Sequence, residues 1–134
     1  MNIIAIEKTS EFSTTPEFVF PMAMGYDIFA SQTCLLEVGK RLFVDTGICI
    51  RIPEGCYATI SNRLSFQSIG VEVMPTTYPP SYNGPVKILI QNQGRHELPI
   101  ITGDKIAVLV VLPIDPPTMI VHTPDHNSYQ NQST

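Results

Sequence analysis

The residues able to do chemistry are few and widely spaced. His122 and His126 lie four apart, the helical spacing of two metal ligands, but Pro124 falls between them and no third ligand is evident. Solvated loop histidines are the expectation. Cys34, Cys49 and Cys56 form an odd set with no CxxC spacing and no paired His. They read as small buried thiols of a reducing compartment. Asp104, directly after Gly103, is a turn-shaping aspartate. From Met74 to Pro85 there is no Asp, Glu, Lys, Arg or His, while Pro75, Pro79, Pro80 and Pro85 fix φ and remove backbone donors. This stretch, within Gly70 to Gly84, reads as a rigid hairpin connection that offers Tyr78 and Tyr82 to a ligand or partner. An uncharged loop suits binding, because acid–base chemistry needs a titratable group.

Positioning these residues falls to short strands. Apolar and β-branched runs recur between Gly and Pro at Asn2–Ile6, Gly25–Ala30, Leu35–Val38, Leu42–Val44, Ile48–Ile52, Tyr57–Ile60, Pro85–Gln91 and Leu98–Ile101. Lys105–Leu112 is almost wholly apolar and predicts a strand buried on both faces. Met119–His122 is a further strand candidate, Glu7–Pro21 reads as loop, and only Arg63–Ile69 could form a helical turn. Many strands without helices predict an all-β fold, a closed barrel or jelly roll. The expected organisation is one folded domain over residues 1–115, followed by a polar, flexible arm over 116–134.

The formal net charge of the 134 residues is −4 and the basic residues are scattered, which argues against a nucleic-acid polymer or an anionic membrane as partner. No apolar run approaches a membrane span of roughly 20 residues, and the N-terminus lacks the pattern of a secretory signal. The expected location is intracellular, cytoplasmic or nuclear.

The order of five landmarks carries a resemblance. Gly25-Tyr26-Asp27-Ile28, Thr46-Gly47-Ile48 with Pro53-Glu54-Gly55-Cys56-Tyr57, Asn62-Arg63-Leu64-Ser65, Tyr82-Asn83-Gly84 and Gly103-Asp104-Lys105-Ile106-Ala107 are similar, in order, to the motifs of the trimeric dUTPase family. The resemblance implies a distorted β-barrel in a homotrimer with an exchanged C-terminal segment. It also implies active sites at subunit interfaces and Mg²⁺-assisted attack of water on the α-phosphorus of dUTP, giving dUMP and pyrophosphate. That reaction needs a carboxylate to activate the water and cations to neutralise the phosphates.

Residue by residue, the resemblance also implies losses. In gapless register from Gly70 to Gly84, the family's catalytic aspartate falls on Pro79 and a second aspartate on Ser81. The family's small residues beside the pyrimidine fall on Met74, Pro75 and Thr76, and its phosphate-side glutamine falls on Val108. Arg63 keeps the phosphate-contacting arginine, with Leu64 and Phe66 expected to crowd it, and a surface or interface salt bridge is its expected role over anion binding. Ser65 stands for a neighbouring serine, and Tyr82 for the tyrosine under the deoxyribose, although hairpin packing is the expected role of Tyr82. Asp27 stands for the aspartate that holds the hydrated metal, here expected to be vestigial and to bond nearby backbone. The eight glycines all lie at or before Gly103, so a Gly-rich lid is not expected.

The resulting expectation is a catalytically inactive member, similar to the adenoviral early-region-four dUTPase-like proteins. It would act as a viral interaction or regulatory factor on an unidentified host or viral protein, with no cofactor. The alternative is an active, Mg²⁺-dependent dUTP diphosphatase with an atypical site, for which Asp27 and Glu72 are the nearest carboxylates. A further alternative is a nucleotide binder that does not hydrolyse, using Arg63 and Tyr82. A deaminase of the related dCTP type is disfavoured, because its glutamate would fall near Leu89.

Overall fold

In the computed structural model, which describes residues 3–18 and 25–124, eleven strands and one short helix follow in chain order. They are β1 (Ala5–Lys8), β2 (Glu17–Phe18), β3 (Tyr26–Phe29), β4 (Cys34–Leu36), β5 (Arg41–Arg51), β6 (Cys56–Ser61), α1 (Leu64–Gln67), β7 (Val71–Val73), β8 (Thr76–Tyr78), β9 (Asn83–Asn92), β10 (Leu98–Ile100) and β11 (Lys105–Pro113). The fold is all-β. One sheet runs β1-β5-β9-β7, a second β2-β3-β11-β6-β8, and β10 pairs with β4.

Alternation builds the core. On β5 Val44, Ile48 and Ile50 point inward, and on β9 Val86, Ile88 and Ile90 do the same. Ile28, Ile60, Ile106 and Leu109 of the second sheet join them in one apolar cluster. Fully burying side chains of this size contributes roughly 1.5–3 kcal/mol each. β11 lies between β3 and β6; Ile106 and Ala107 are buried on opposite faces, but the strand becomes half-buried from Val110 and exposed at Leu112. The expectation of burial on both faces holds only for its first half.

Four other expectations need correction. Leu42–Val44 and Ile48–Ile52 are one strand, interrupted in its pairing with β9 between Asp45 and Cys49. Gly47 sits in this irregularity at φ +65, and a Cβ there would press on Ser10, Ser13 and Ser31, so glycine carries the strand through. The Gly70–Gly84 stretch is not a simple hairpin connection. It contains β7, paired with β9, and β8, paired with β6, so the chain changes sheet at Met74-Pro75. Met119–His122 forms no strand and is exposed, since no neighbouring strand pairs with it. Within the loop expected over Glu7–Pro21, two-residue β2 pairs with β3.

The buried polar side chains are all satisfied among the described residues. Thr46 donates to the Val86 carbonyl, and Asn92 donates to the carbonyls of Leu36 and His96 while accepting from Gly94 N–H. The three cysteines are free, with Cys56 buried and the others half-buried; burial pushes the Cys34 thiol up.

Candidate functional site

Two groups of residues carry the expected chemistry, and each is assembled by pairing between distant strands. The first is the turn between β8 and β9. Pro79 carbonyl accepts from Tyr82 N–H at 3.1 Å, with Pro80 and Ser81 at the centre and Ser81 at φ 66, the geometry of a proline-led type II turn. Ile52 clamps it from β5: its N–H donates to Tyr82 carbonyl at 2.8 Å and its carbonyl accepts from Ser81 N–H at 3.1 Å. Tyr82 turns its hydroxyl to the Pro85 carbonyl at 2.7 Å and tilts its ring on Tyr78, centroids 4.7 Å apart. Tyr78 is buried, and desolvation, reinforced by the neighbouring Tyr82, pushes its phenol up to about 12. Both tyrosines are therefore engaged within the hairpin.

The second group joins three of the sequence landmarks. Asp27 on β3 is 5% exposed. Arg63, just before α1, donates through Nη1 to Asp27 Oδ1 at 3.0 Å, and Lys105 at the start of β11 places Nζ 3.4 Å from Oδ2. Asp27 thus bonds two cations rather than the backbone it was expected to bond. The salt bridge expected of Arg63 is present, here with a buried carboxylate, and its backbone N–H is held by Asn62 Oδ1. Leu64 and Phe66 do not crowd the guanidinium as expected: Leu64 is 81% exposed and Phe66 enters the core. Ser65 is exposed on α1, and only its carbonyl is engaged, by Ser68. Among the described residues, no hydrogen bond or ion pair links the Asp27 group to the Tyr82 turn.

A divalent metal does not fit directly on Asp27, because both carboxylate oxygens already face cations and the side chain is buried. Among the described residues no cluster of three or more His, Cys, Asp or Glu could hold one. His122 is exposed in an extended segment, while His126 lies outside the described residues. Glu72 stands exposed on β7, opposite Gln91. Asp104 shapes its turn as expected, accepting from Ile101 N–H at 2.8 Å.

Two residues escaped sequence reasoning. Lys105 was visible only as a landmark, and its pairing with Asp27 follows from the β3–β11 ladder. Glu54 lines a small cleft with Arg51, Ser81 and Asn83, beside the turn that holds Pro79. The clamp of β5 on the turn brings it there, and no local pattern announces that. An apolar cleft of about 510 Å³ lies elsewhere, between Ile6, Phe18, Tyr26 and Val111.

The dUTPase family profile matches residues 13–133. This chain belongs to the dUTPase family. It is 30% identical over 120 residues to a probable deoxyuridine 5'-triphosphate nucleotidohydrolase of Schizosaccharomyces pombe, covering 88% of this chain and 86% of that one. It is 31% identical over 122 residues to the deoxyuridine 5'-triphosphate nucleotidohydrolase of Paramecium bursaria Chlorella virus 1, covering 90% and 86%. Among solved structures, the Staphylococcus bacteriophage 80alpha dUTPase with dUpNHpp superposes with a TM-score of 0.80 at 21% identity, covering 94% of this chain and 91% of that one. A dUTPase of S. aureus phage phi11, described with a structural Mg(II) ion, superposes with a TM-score of 0.77 at 24% identity, covering 93% and 99%. The expected all-β dUTPase-like fold is thereby met. The named relatives are nucleotidohydrolases, so the comparisons favour the diphosphatase alternative over the loss of activity expected from the sequence. The chemistry of this dUTPase-family chain then turns on its own residues.

Proposed function

We propose that this dUTPase-family chain does not hydrolyse dUTP and acts through protein contacts. The observation that carries this reading is Pro79 at the gapless position of the family's catalytic aspartate, in a turn fixed by Tyr82 and Ile52. Proline can neither take a proton from water nor orient it. Supporting it, Asp27 is neutralised by Arg63 and Lys105, and Tyr82's hydroxyl is committed to Pro85. The apolar cleft between Ile6 and Val111, and the exposed apolar run Met119-Ile120-Val121, offer surface suited to protein partners. By analogy with the adenoviral early-region-four proteins, and with viruses among the relatives, the reading is of a viral factor working inside the cell on a host or viral protein. The same exposed run, following β11, supports a homotrimer in which the segment after Pro113 lies on a neighbour. Light scattering of the purified protein should give three times the chain mass, and a stable monomer would count against the trimer.

A second reading has its own support. The relatives' names favour a dUTP diphosphatase, and Glu54 beside the turn is a carboxylate in reach of an atypical site. Purified protein incubated with dUTP and Mg²⁺ separates the readings. Pyrophosphate release that is lost in Glu54→Ala or Asp27→Ala establishes the enzyme, and no release above the uncatalysed rate supports the non-catalytic reading.

A further inference from the structure

β4 and β10 form a two-stranded ribbon beside the two larger sheets, and its two faces differ. Leu36 and Ile100 are buried in the core cluster. Side chains alternate across a strand, so Leu35, Pro99 and, just past β10, Ile101 are turned to solvent. Leu35 is 48% and Ile101 58% exposed, where a half-solvated strand would ordinarily carry polar residues. Leu35 lies opposite Pro99, and the same register places Ile101 opposite Thr33 and Glu37 opposite Glu97. The outward face therefore has an apolar centre, a pair of carboxylates at one end and a hydroxyl at the other. Like charges directly opposite one another destabilise a strand pair. Both glutamates are exposed, and the ion pairs among the described residues are those of Asp27, so neither Lys40 nor Arg95 in the adjoining turns relieves them. A cation brought by a partner would. Pro99 has no N–H to offer, which blunts the β10 edge against strand addition and leaves the side-chain face as the surface to be read.

We propose that the outward face of the β4–β10 ribbon docks a protein segment that carries an apolar side chain with Lys or Arg beside it. The apolar side chain covers Leu35, Pro99 and Ile101, and the cation sits between Glu37 and Glu97. The proposal rests on the reading of this chain as one that acts through protein contacts, and it supplies the face and the chemistry of the partner. Charge decides among the occupants. A second copy brings no Lys or Arg on the same face, and an anionic lipid surface is repelled by the two glutamates. A few central apolar contacts carry most of the affinity of such a surface, while the charges at its rim set orientation and choice of partner.

The test is selection of displayed random peptides on the full chain, followed by affinity measurement of the selected peptides as synthetic probes. Peptides pairing an apolar residue with Lys or Arg should be enriched, and the double variant Leu35→Ser, Ile101→Ser should bind them at least about tenfold more weakly. No enrichment, enrichment of acidic peptides, or unchanged affinity in the folded double variant overturns the proposal. If that variant does not fold, the charge reversal Glu37→Lys, Glu97→Lys decides. It should weaken the basic peptides by a similar factor and select acidic ones instead, and a retained preference for basic peptides overturns the proposal. A separate dUTP turnover assay keeps the two readings apart. Turnover by the unaltered protein defeats the non-catalytic reading, whereas the peptide measurements alone decide the role of the ribbon.

Discussion

Tyr82 N–H donates to the Pro79 carbonyl at 3.1 Å, so Pro79, the residue proposed to replace a water-activating aspartate, is the first residue of a closed turn. The third position of that turn is Ser81 at φ 66, the one non-glycine residue at positive φ among those described. A side chain in that region costs about 1–2 kcal/mol, while glycine gives back roughly 0.5–1 kcal/mol in unfolded-state entropy. Ser81→Gly should therefore stabilise the protein by about 0.5–1 kcal/mol, and Ser81→Val should destabilise it. Urea unfolding midpoints of the two variants check both signs.

Arg63 and Lys105 tie the segment before α1 and the start of β11 to β3 through one buried carboxylate. Truncating one partner of a fully buried pair costs about 3–5 kcal/mol, and exposed pairs are worth about 0–1 kcal/mol. With Asp27 buried but Lys105 half-exposed, Arg63→Ala should cost roughly 1–3 kcal/mol and Lys105→Ala roughly 0–1 kcal/mol. Thermal unfolding of both variants measures the order, and equal losses would show that exposure does not govern this cluster.

Tyr78 supplies a pH dependence. Its phenol is pushed from 10.0 to about 12 by burial and by Tyr82, so between those values the folded state keeps a proton that the unfolded state has released. Stability falls as protons are bound more by the native state with rising pH, so the contribution of Tyr78 is present below pH 10.0 and lost as pH rises through about 12. Tyrosinate absorbance of the folded protein should show one late-titrating group that disappears in Tyr78→Phe.

Alternation made β9 and, as two pieces, β5 legible in the sequence, a nearly continuous apolar run made β11 legible, and ordered landmarks made the dUTPase-like fold legible. β7 and β8 were not legible, because three-residue strands among prolines owe their existence to β9 and β6 rather than to local pattern. The reverse error, Met119–His122, had strand-like residues but no strand to pair with. At the site, Pro79 and Arg63 could be placed by register alone. That Asp27 would face Lys105 as well as Arg63, and that Glu54 would adjoin the Ser81 turn, depended on contacts between segments far apart in the chain.

The central claim is the absence of dUTP hydrolysis, and one assay addresses it directly: pyrophosphate release from dUTP by the purified, oligomer-defined protein with Mg²⁺. No turnover above the uncatalysed rate is predicted, both for the unaltered protein and for Glu54→Ala. Turnover at an enzymic rate, lost on Glu54→Ala or Asp27→Ala, would contradict the claim and make this chain a dUTP diphosphatase with a relocated carboxylate.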